Sequence, residues 1–157
     1  MDPFVGNLEK LTTSNKAYRH VLFTDVGKLQ LVVMKLNPNE EIGREIHNTT
    51  TQFIRIEQGD AIATIGTTPK PSSNDKIFNL SKNGQDTIII PQGTYHNIKN
   101  KSKTKLLHLY TIYSPPEHPP QTYQKEKIIK SMNGGEQGLS NKLLYNKLKI
   151  ISRIEKN

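Results

Sequence analysis

Short β-prone segments, separated by turn-forming residues, fill most of the chain before residue 115 and restrict what it can fold into. Six segments are apparent: Ala17–Phe23, Lys28–Leu36, Thr51–Gln58, Asp60–Ile65, Asp86–Ile90 and Lys105–Ser114. Turn-forming residues such as Asn37-Pro38-Asn39 interrupt them, and helical periodicity is weak in this region. Many short strands punctuated in this way are typical of a β-sandwich or barrel. Gly59, between two of the segments, predicts a tight hairpin.

A Pro-rich segment, Ser114–Pro120, marks a change in composition along the chain. Its prolines remove backbone donors and hold their neighbours extended. From Lys125 onward there are seven Lys and one Arg against three Glu, so this region contributes +5 of the net charge of +8. We therefore predict an N-terminal segment, 1–27, that joins a barrel core, 28–114, followed by a Pro-rich junction and basic extension, 115–157.

The basic extension contains two predicted helices. Lys125–Met132 ends before the helix-stopping Asn133-Gly134-Gly135, and Ser140–Ile154 carries Leu and Ile at helical spacing with Lys and Arg between them. Clustered lysines can neutralise nucleic-acid phosphates. We favour the alternative, an apolar stripe that packs on the barrel or on a second subunit, because interleaved aromatic residues and a nucleic-acid motif are missing.

Composition excludes several classes of protein. The chain has no Cys, which excludes disulfides, thiolate zinc sites and cysteine nucleophiles. Its apolar runs fall far short of the roughly 18–20 residues that span a membrane. Residues 1–10 include Asp2 and Glu9 and do not form a basic region followed by an apolar block, so no secretory signal is visible. We expect a soluble, cytoplasmic protein.

Glu45, His47 and His96 are the residues best suited to metal chemistry. Residues two apart in a strand face the same side, so Glu45 and His47 would both face a barrel interior, and His96 on a later strand can converge on them. Two imidazoles and one carboxylate form a facial triad that is typical of open-sited Fe(II) and compatible with Mn, Ni or Zn.

These residues belong to two blocks that resemble the two motifs of the cupin superfamily. The spacing of the first motif is matched by Glu45, His47, Gln52 and Gly59. The second motif is matched by Pro91, Gly93, His96 and Asn100. Glu45 replaces the family's usual first histidine, and Gln52 replaces its usual glutamate. The resemblance covers about residues 28–113 and continues into the Pro-rich segment, which looks like the end of small single-domain cupins.

The resemblance implies an all-β fold, a double-stranded β-helix or jelly roll, with a helical or flexible basic extension. It implies a divalent ion, Fe, Mn, Ni or Zn, with Glu45, His47, Gln52 and His96 as candidate ligands. Gln52 is the weakest of these, since a neutral amide can instead hydrogen-bond water, substrate or backbone.

Small cupins of this kind are often described as mannose-6-phosphate isomerase-like. This resemblance implies a metal-dependent enzyme acting on a small polar molecule such as a sugar or sugar phosphate. Two alternatives stay open, a non-catalytic cupin that binds a small ligand and an Fe(II)-type dioxygenase. A fold alone does not establish a function.

Other residues have less specific expectations. His108 and Tyr110 alternate with apolar residues along the last long segment, so they either line the cavity as candidate catalytic residues for proton transfer or pack within the barrel. His20 and His118 are expected at the surface. Alternation from Gln52 places Arg55 on the opposite face, in an outer-face or dimer-contact role. An exposed strand edge favours a homodimer.

Overall fold

Two antiparallel β-sheets and one short helix make up the computed structural model, which describes residues 2–128. The elements in chain order are α1 (Leu8–Thr13), β1 (Arg19–Asp25), β2 (Leu29–Leu36), β3 (Thr51–Gln58), β4 (Asp60–Gly66), β5 (Lys76–Ser81), β6 (Thr87–Ile90), β7 (Tyr95–Asn100), β8 (Leu107–Ser114) and β9 (Tyr123–Gln124). The predicted all-β double-stranded β-helix is confirmed. Among the described residues, no helix is long and apolar enough to cross a membrane.

The larger sheet has six strands in the order β6-β3-β8-β2-β1-β9, and the smaller has three in the order β5-β4-β7. Two isolated antiparallel bridges, Glu41 with Lys99 and Glu45 with His96, add the segment before β3 to the β7 edge of the smaller sheet. The first metal motif therefore lies beside the second.

Alternating residues of the six-stranded sheet supply two separate apolar clusters. The inner cluster joins Val32 and Met34 of β2 and Ile54 of β3 to residues of the smaller sheet such as Ala63 and Ile98. The outer cluster contains Leu31, Val33 and Tyr110, with Leu8 of α1 packed against them. This sheet is thus covered on both faces, by the smaller sheet inside and by α1 outside. Burial of apolar area on both faces stabilises the fold.

The tight hairpin predicted at Gly59 is wrong. Strand β3 pairs with β6 and β8, whereas β4 pairs with β5 and β7, so the chain at Gly59 passes from one sheet to the other. Gly59 has φ +89°, and a Cβ there would lie 2.7 Å from the carbonyl oxygen of Leu106. Glycine is needed at this corner because both the backbone angle and the close approach exclude a side chain.

All six predicted segments form strands, with ends shifted by at most two residues. Strands β5, β7 and β9 and helix α1 were not among them. Strand β5 is an edge strand in which only Leu80 is buried and Ile77 is exposed, and β6, an edge strand of the larger sheet, carries the exposed Ile89. The homodimer expected from such edges stays a prediction.

The Pro-rich segment continues the barrel into what we call the strap, residues 115–122. The buried side chain of Gln30 donates to the carbonyl of His118 (2.7 Å) and accepts from its backbone N–H (3.0 Å). Beyond the strap, β9 pairs with β1. Residues 125–128 are not helical; the rest of the predicted helix Lys125–Met132 and all of Ser140–Ile154 lie outside the described residues.

Candidate metal centre

Backbone hydrogen bonds hold the two histidine-containing blocks together. Glu45 and His96 exchange both N–H···O bonds at 2.9 Å, and Gly93 donates to the carbonyl of His47 at 2.7 Å. Because Glu45 and His96 are bridge partners, their side chains share one side of the pair. The antiparallel bridge thus brings together residues that are distant in sequence.

The three predicted donors form one compact cluster. Nε2 of His47 and Nε2 of His96 each lie 3.5 Å from Oε1 of Glu45. One ligand atom from each residue lies within 4.8 Å of the other two. Both histidines are buried, whereas the Glu45 side chain is 30% exposed. The cluster therefore reaches solvent on the side of Glu45.

The second ring nitrogen of each histidine also has a defined environment. Nδ1 of His96 lies 2.9 Å from the carbonyl oxygen of Thr94, and Nδ1 of His47 lies 3.2 Å from Oε1 of Glu117. A carbonyl and a carboxylate only accept hydrogen bonds, so both contacts favour a proton on Nδ1 and a lone pair on Nε2. Neither Nε2 has a hydrogen-bond partner in the described chain, and the 3.2 Å contact between Nδ1 of His47 and Glu117 is an ion-pair contact without the alignment of a hydrogen bond.

Two buried lone pairs and a carboxylate oxygen that face one another repel unless a proton or a metal cation lies among them. Two imidazole nitrogens and one carboxylate oxygen are a donor set that first-row divalent ions accept. The residues present at this site therefore fit a divalent transition-metal ion.

The electrostatics of the cluster keep Glu45 ionised. Burial alone raises the pKa of Glu45, but the hydrogen bonds and charge that His47 and His96 offer in their protonated forms outweigh it and lower the pKa to about 2. Burial likewise lowers the pKa of His47, but the carboxylates of Glu45 and Glu117 outweigh it, so the net shift is upward. An ionised carboxylate is the form that ligates a metal.

Gln52 lies on the inner face, next to the cluster. Its amide nitrogen donates to the hydroxyls of Thr111 and Tyr113, each at 3.1 Å. Its buried Oε1 has no partner among the described residues. The Tyr113 ring packs edge-on against His47, with 5.6 Å between centroids. The side chain is thus fixed through its nitrogen, and its oxygen is free for water, substrate or metal.

The structure does not bring His108 and Tyr110 to the cluster. Nε2 of His108 lies 3.2 Å from the carbonyl oxygen of Asn15, and Tyr110 belongs to the outer cluster beneath α1. The residues of β8 that face the site are instead Thr111 and Tyr113. This arrangement follows from strand alternation, which sends odd-numbered and even-numbered residues of β8 to opposite faces.

Arg55 lies on the outer face, as alternation from Gln52 predicted. Its guanidinium contacts Oδ2 of Asp86 at 3.2 Å and Oε1 of the buried Glu57 at 3.4 Å. Lys82 lies 3.8 Å from the other oxygen of Glu57. These contacts form a structural ion-pair network rather than part of the metal centre.

Sequence reasoning missed two strap residues that reach the site. Glu117 contacts His47, as described above. His118, expected at the surface, packs its ring edge-on against Tyr113 with 5.1 Å between centroids, and its Nε2 is buried without a partner. Burial, and then the charge of Arg19, lower the pKa of His118 to about 3, so its ring is neutral. The available signal was the Glu117-His118 pair, which begins three residues after the end of β8.

Two curated relatives resemble the chain in sequence, and no protein-family model matches it. The uncharacterised protein YrkC of Bacillus subtilis (strain 168) is 41% identical over 128 residues, which is 80% of this chain and 64% of YrkC. The uncharacterised protein L612 of Acanthamoeba polyphaga mimivirus is 44% identical over 117 residues, 74% of this chain and 68% of L612. The chain thus spans less than two thirds of YrkC and about two thirds of L612.

Solved structures show the same architecture. The crystal structure of BH2720 from Bacillus halodurans is 35% identical, with a TM-score of 0.69, and the match covers 79% of this chain and 89% of that one. The cupin domain of Cnp3 from Schizosaccharomyces pombe shares the fold at 22% identity, with a TM-score of 0.54 over 67% of each chain. The chain therefore belongs to the same family as BH2720, and its jelly roll with paired histidine motifs has the fold of the Cnp3 cupin domain.

Proposed function

We propose that the protein binds a divalent transition-metal ion through Glu45, His47 and His96 and acts as an enzyme on a small polar molecule. One observation carries the proposal, the convergence of two unpartnered imidazole Nε2 atoms on the Glu45 carboxylate. Three protein donors leave coordination positions open for a substrate. Such an ion polarises a substrate carbonyl or hydroxyl when it is bound.

Arg19 supports a substrate that carries a phosphate or carboxylate, such as a sugar phosphate. Alternation along β1 puts Arg19 on the inner face with Val21, opposite Met34 of the inner cluster. One guanidinium nitrogen donates to Oε1 of Gln124 at 2.8 Å, while Nε is buried without a hydrogen-bond partner in the described chain. No carboxylate within residues 2–128 pairs with this guanidinium. A forked cation in this state suits an anionic oxygen group.

A second candidate function is an Fe(II)-dependent dioxygenase. The donor set of two histidines and one carboxylate is typical of non-haem Fe(II) oxygenases. An isomerase also needs a residue that moves a proton at the substrate. His108 and Tyr110 do not supply it from the outer face, and this arrangement favours the oxygenase over the isomerase-like reaction.

Elemental analysis tests the metal directly. The protein is purified without a chelator or a metal-affinity tag, beside His47→Ala, His96→Ala and, as a control distant from the cluster, His20→Ala. We expect near-stoichiometric Fe, Mn, Ni or Zn in the wild type and in His20→Ala, and none in the other two variants. A wild type without metal, even after reconstitution, would contradict the proposal.

The reaction is tested on the metal-loaded protein with paired phosphorylated and unphosphorylated sugars, while dioxygen consumption is followed. Isomerisation without dioxygen uptake identifies an isomerase, and substrate-dependent uptake identifies an oxygenase. Arg19→Gln should raise the KM for the phosphorylated sugar and leave metal content unchanged. A metal-loaded protein that binds these sugars and converts none of them is the non-catalytic cupin.

A further inference from the structure

The strap places the carboxylate of Glu117 next to Nδ1 of His47, the ring nitrogen that does not face the metal cluster. Oε1 of Glu117 lies 3.2 Å from Nδ1 of His47, on the opposite side of the ring from Nε2. Its other oxygen, Oε2, accepts a hydrogen bond from the hydroxyl of Thr50 at 3.0 Å. Glu117 is not one of the clustered donors, which are Glu45, His47 and His96. Its carboxylate therefore contacts the site only through His47.

The position of this carboxylate is fixed from the neighbouring residue as well. The side chain of Gln30 holds both backbone polar groups of His118. Gln30 is fully buried on the inner face of β2. A residue whose neighbour is clamped in this way, and whose own carboxylate has a hydroxyl donor, loses little further freedom when it binds the imidazole.

The two histidines are supported by different means. Nδ1 of His96 lies 2.9 Å from the carbonyl oxygen of Thr94, a neutral backbone acceptor just before β7 that no side-chain substitution removes. Nδ1 of His47 instead lies 3.2 Å from the carboxyl group of Glu117, a side chain 70 positions later in the chain. A carboxylate behind a ligating imidazole fixes the proton on the distal nitrogen and makes the ligating nitrogen a stronger donor.

We propose that Glu117 is the positioning residue for His47: it holds the proton on Nδ1, presents Nε2 to the cluster and thereby strengthens metal binding. The effect on the metal rests on the proposed function, but the effect on the imidazole does not. Removal of a supporting group of this kind typically weakens metal affinity by about 10–100-fold.

The imidazole itself is tested in metal-free protein labelled with ¹⁵N-histidine, at about pH 9 to favour neutral rings. In the wild type, the ring nitrogen shifts should place the proton on Nδ1 of both His47 and His96. In Glu117→Ala, the proton of His47 should move largely to Nε2, while His96 stays unchanged as the internal control. Glu117→Gln should restore Nδ1–H, because its amide oxygen still accepts. An unchanged His47 in Glu117→Ala, or an equal change in both histidines, overturns the proposal.

Metal affinity is then measured by chelator competition with Zn²⁺. We expect Glu117→Ala to raise the Kd by about 10–100-fold and Glu117→Gln by less than about 10-fold. Thr50→Val removes the hydroxyl contact of the strap and keeps the carboxylate, so it should change the Kd by less than about threefold. Equal weakening in Thr50→Val and Glu117→Ala would assign Glu117 a merely structural role. A wild type that binds no Zn²⁺ overturns the effect on metal, together with the proposed function, and leaves the tautomer result standing by itself.

Discussion

The inner and outer faces of the six-stranded sheet both carry buried polar side chains, but they satisfy them differently. On the outer face, Glu57 lies between Arg55 and Lys82, and Arg55 also contacts Asp86. In the interior that the inner face covers, Nε2 of His47 and Oε1 of Gln52 have no hydrogen-bond partner within residues 2–128. The outer face also holds unpartnered nitrogens, Nε of Arg55 and Nδ1 of His108, but the former lies 3.4 Å from a carboxylate oxygen of Glu57. Leaving a buried polar atom unpaired costs about 1–3 kcal/mol. Groups that are mutually paired stabilise the fold, whereas convergent unpaired groups indicate a ligand.

Strand β8 shows the same contrast within one element. Thr111 and Tyr113 face inward and bond the amide of Gln52. His108 and Tyr110 face outward beneath α1. The same strand thus supports the metal centre with one set of residues and anchors the N-terminal helix with the other. Substitutions matched across the two faces should separate function from stability.

The largest contrast is expected between two carboxylates, Glu45 inside and Glu57 outside. Glu45→Ala removes one of three metal donors, so the Kd for Zn²⁺ should rise by more than the roughly 10–100-fold that loss of a supporting residue costs. Glu57→Ala should leave the Kd unchanged. Chelator competition measures both. Similar Kd values for the two variants would break the distinction between the faces.

The second prediction concerns the contribution of the same outer carboxylate, Glu57, to the stability of the fold. Glu57→Ala leaves Arg55 and Lys82 without the carboxylate between them, but each keeps another partner, Asp86 or Glu9, so the free energy of unfolding should fall modestly and by more than in the control. Urea unfolding of the metal-free protein measures the change. Glu126→Ala, at an exposed position, is the control and should stay within about 0.5 kcal/mol of wild type. A Glu57 variant as stable as this control would refute a structural role for the network.

A smaller effect, a gain in metal affinity, is expected from a substitution inside the barrel. Gln52→Glu supplies a fourth donor, which is charged like Glu45, and the Thr111 and Tyr113 hydroxyls can rotate to donate to it. We expect the Zn²⁺ Kd to fall about tenfold, equivalent to about 1.4 kcal/mol. Gln58→Glu, at the exposed end of the same strand, should leave the Kd unchanged. Equal gains in both variants would indicate a general charge effect rather than ligation.

The smallest effect concerns His108 and pH. Burial lowers the pKa of His108, the hydrogen bond to Asn15 opposes this, and the charge of Lys35 adds to it. The unfolded chain, with a histidine pKa of about 6.5, therefore binds this proton more readily, so stability is full above that pH and declines below it. In His108→Gln, the loss of unfolding free energy between about pH 7.5 and 5.5 should be smaller by up to about 1 kcal/mol. Urea unfolding at both pH values measures it, with His20→Gln as control; an unchanged decline would contradict it.

Much of this fold could be predicted from the sequence because most of its strands are short β-prone segments with turn-forming residues at their ends. Residues Thr51–Gln58 are predicted to the residue, and the motif spacing brought Glu45, His47 and His96 together correctly. Strand β5 escaped because only Leu80 of its six residues is buried, which leaves no clear alternation. Helix α1 was not predicted because its six residues are too few to show a helical periodicity in the sequence.

The rest of the site could not be predicted from the alternation of apolar and polar residues along the strands. Residues 107–111 are buried on both faces, so alternation could not tell which of Tyr110 and Thr111 points inward. At Gly59, turn chemistry predicted the bend but not that the chain would change sheets there. The contact between Glu117 and His47 joins residues 70 positions apart and depends on how the strap crosses the barrel.

The position of β8 between β2 and β3 has a consequence for synthesis of the chain. Gln30 of β2 and Gln52 of β3 both pair with Tyr113 of β8, and both are synthesised long before Tyr113 emerges from the ribosome. Until then, β2 and β3 have no common neighbour, and Glu117, which contacts His47, has not yet been synthesised. Contacts this distant in sequence form late in folding. A nascent chain that has not yet exposed β8 and the strap therefore lacks this support for its metal donors, and loading should follow their emergence from the ribosome.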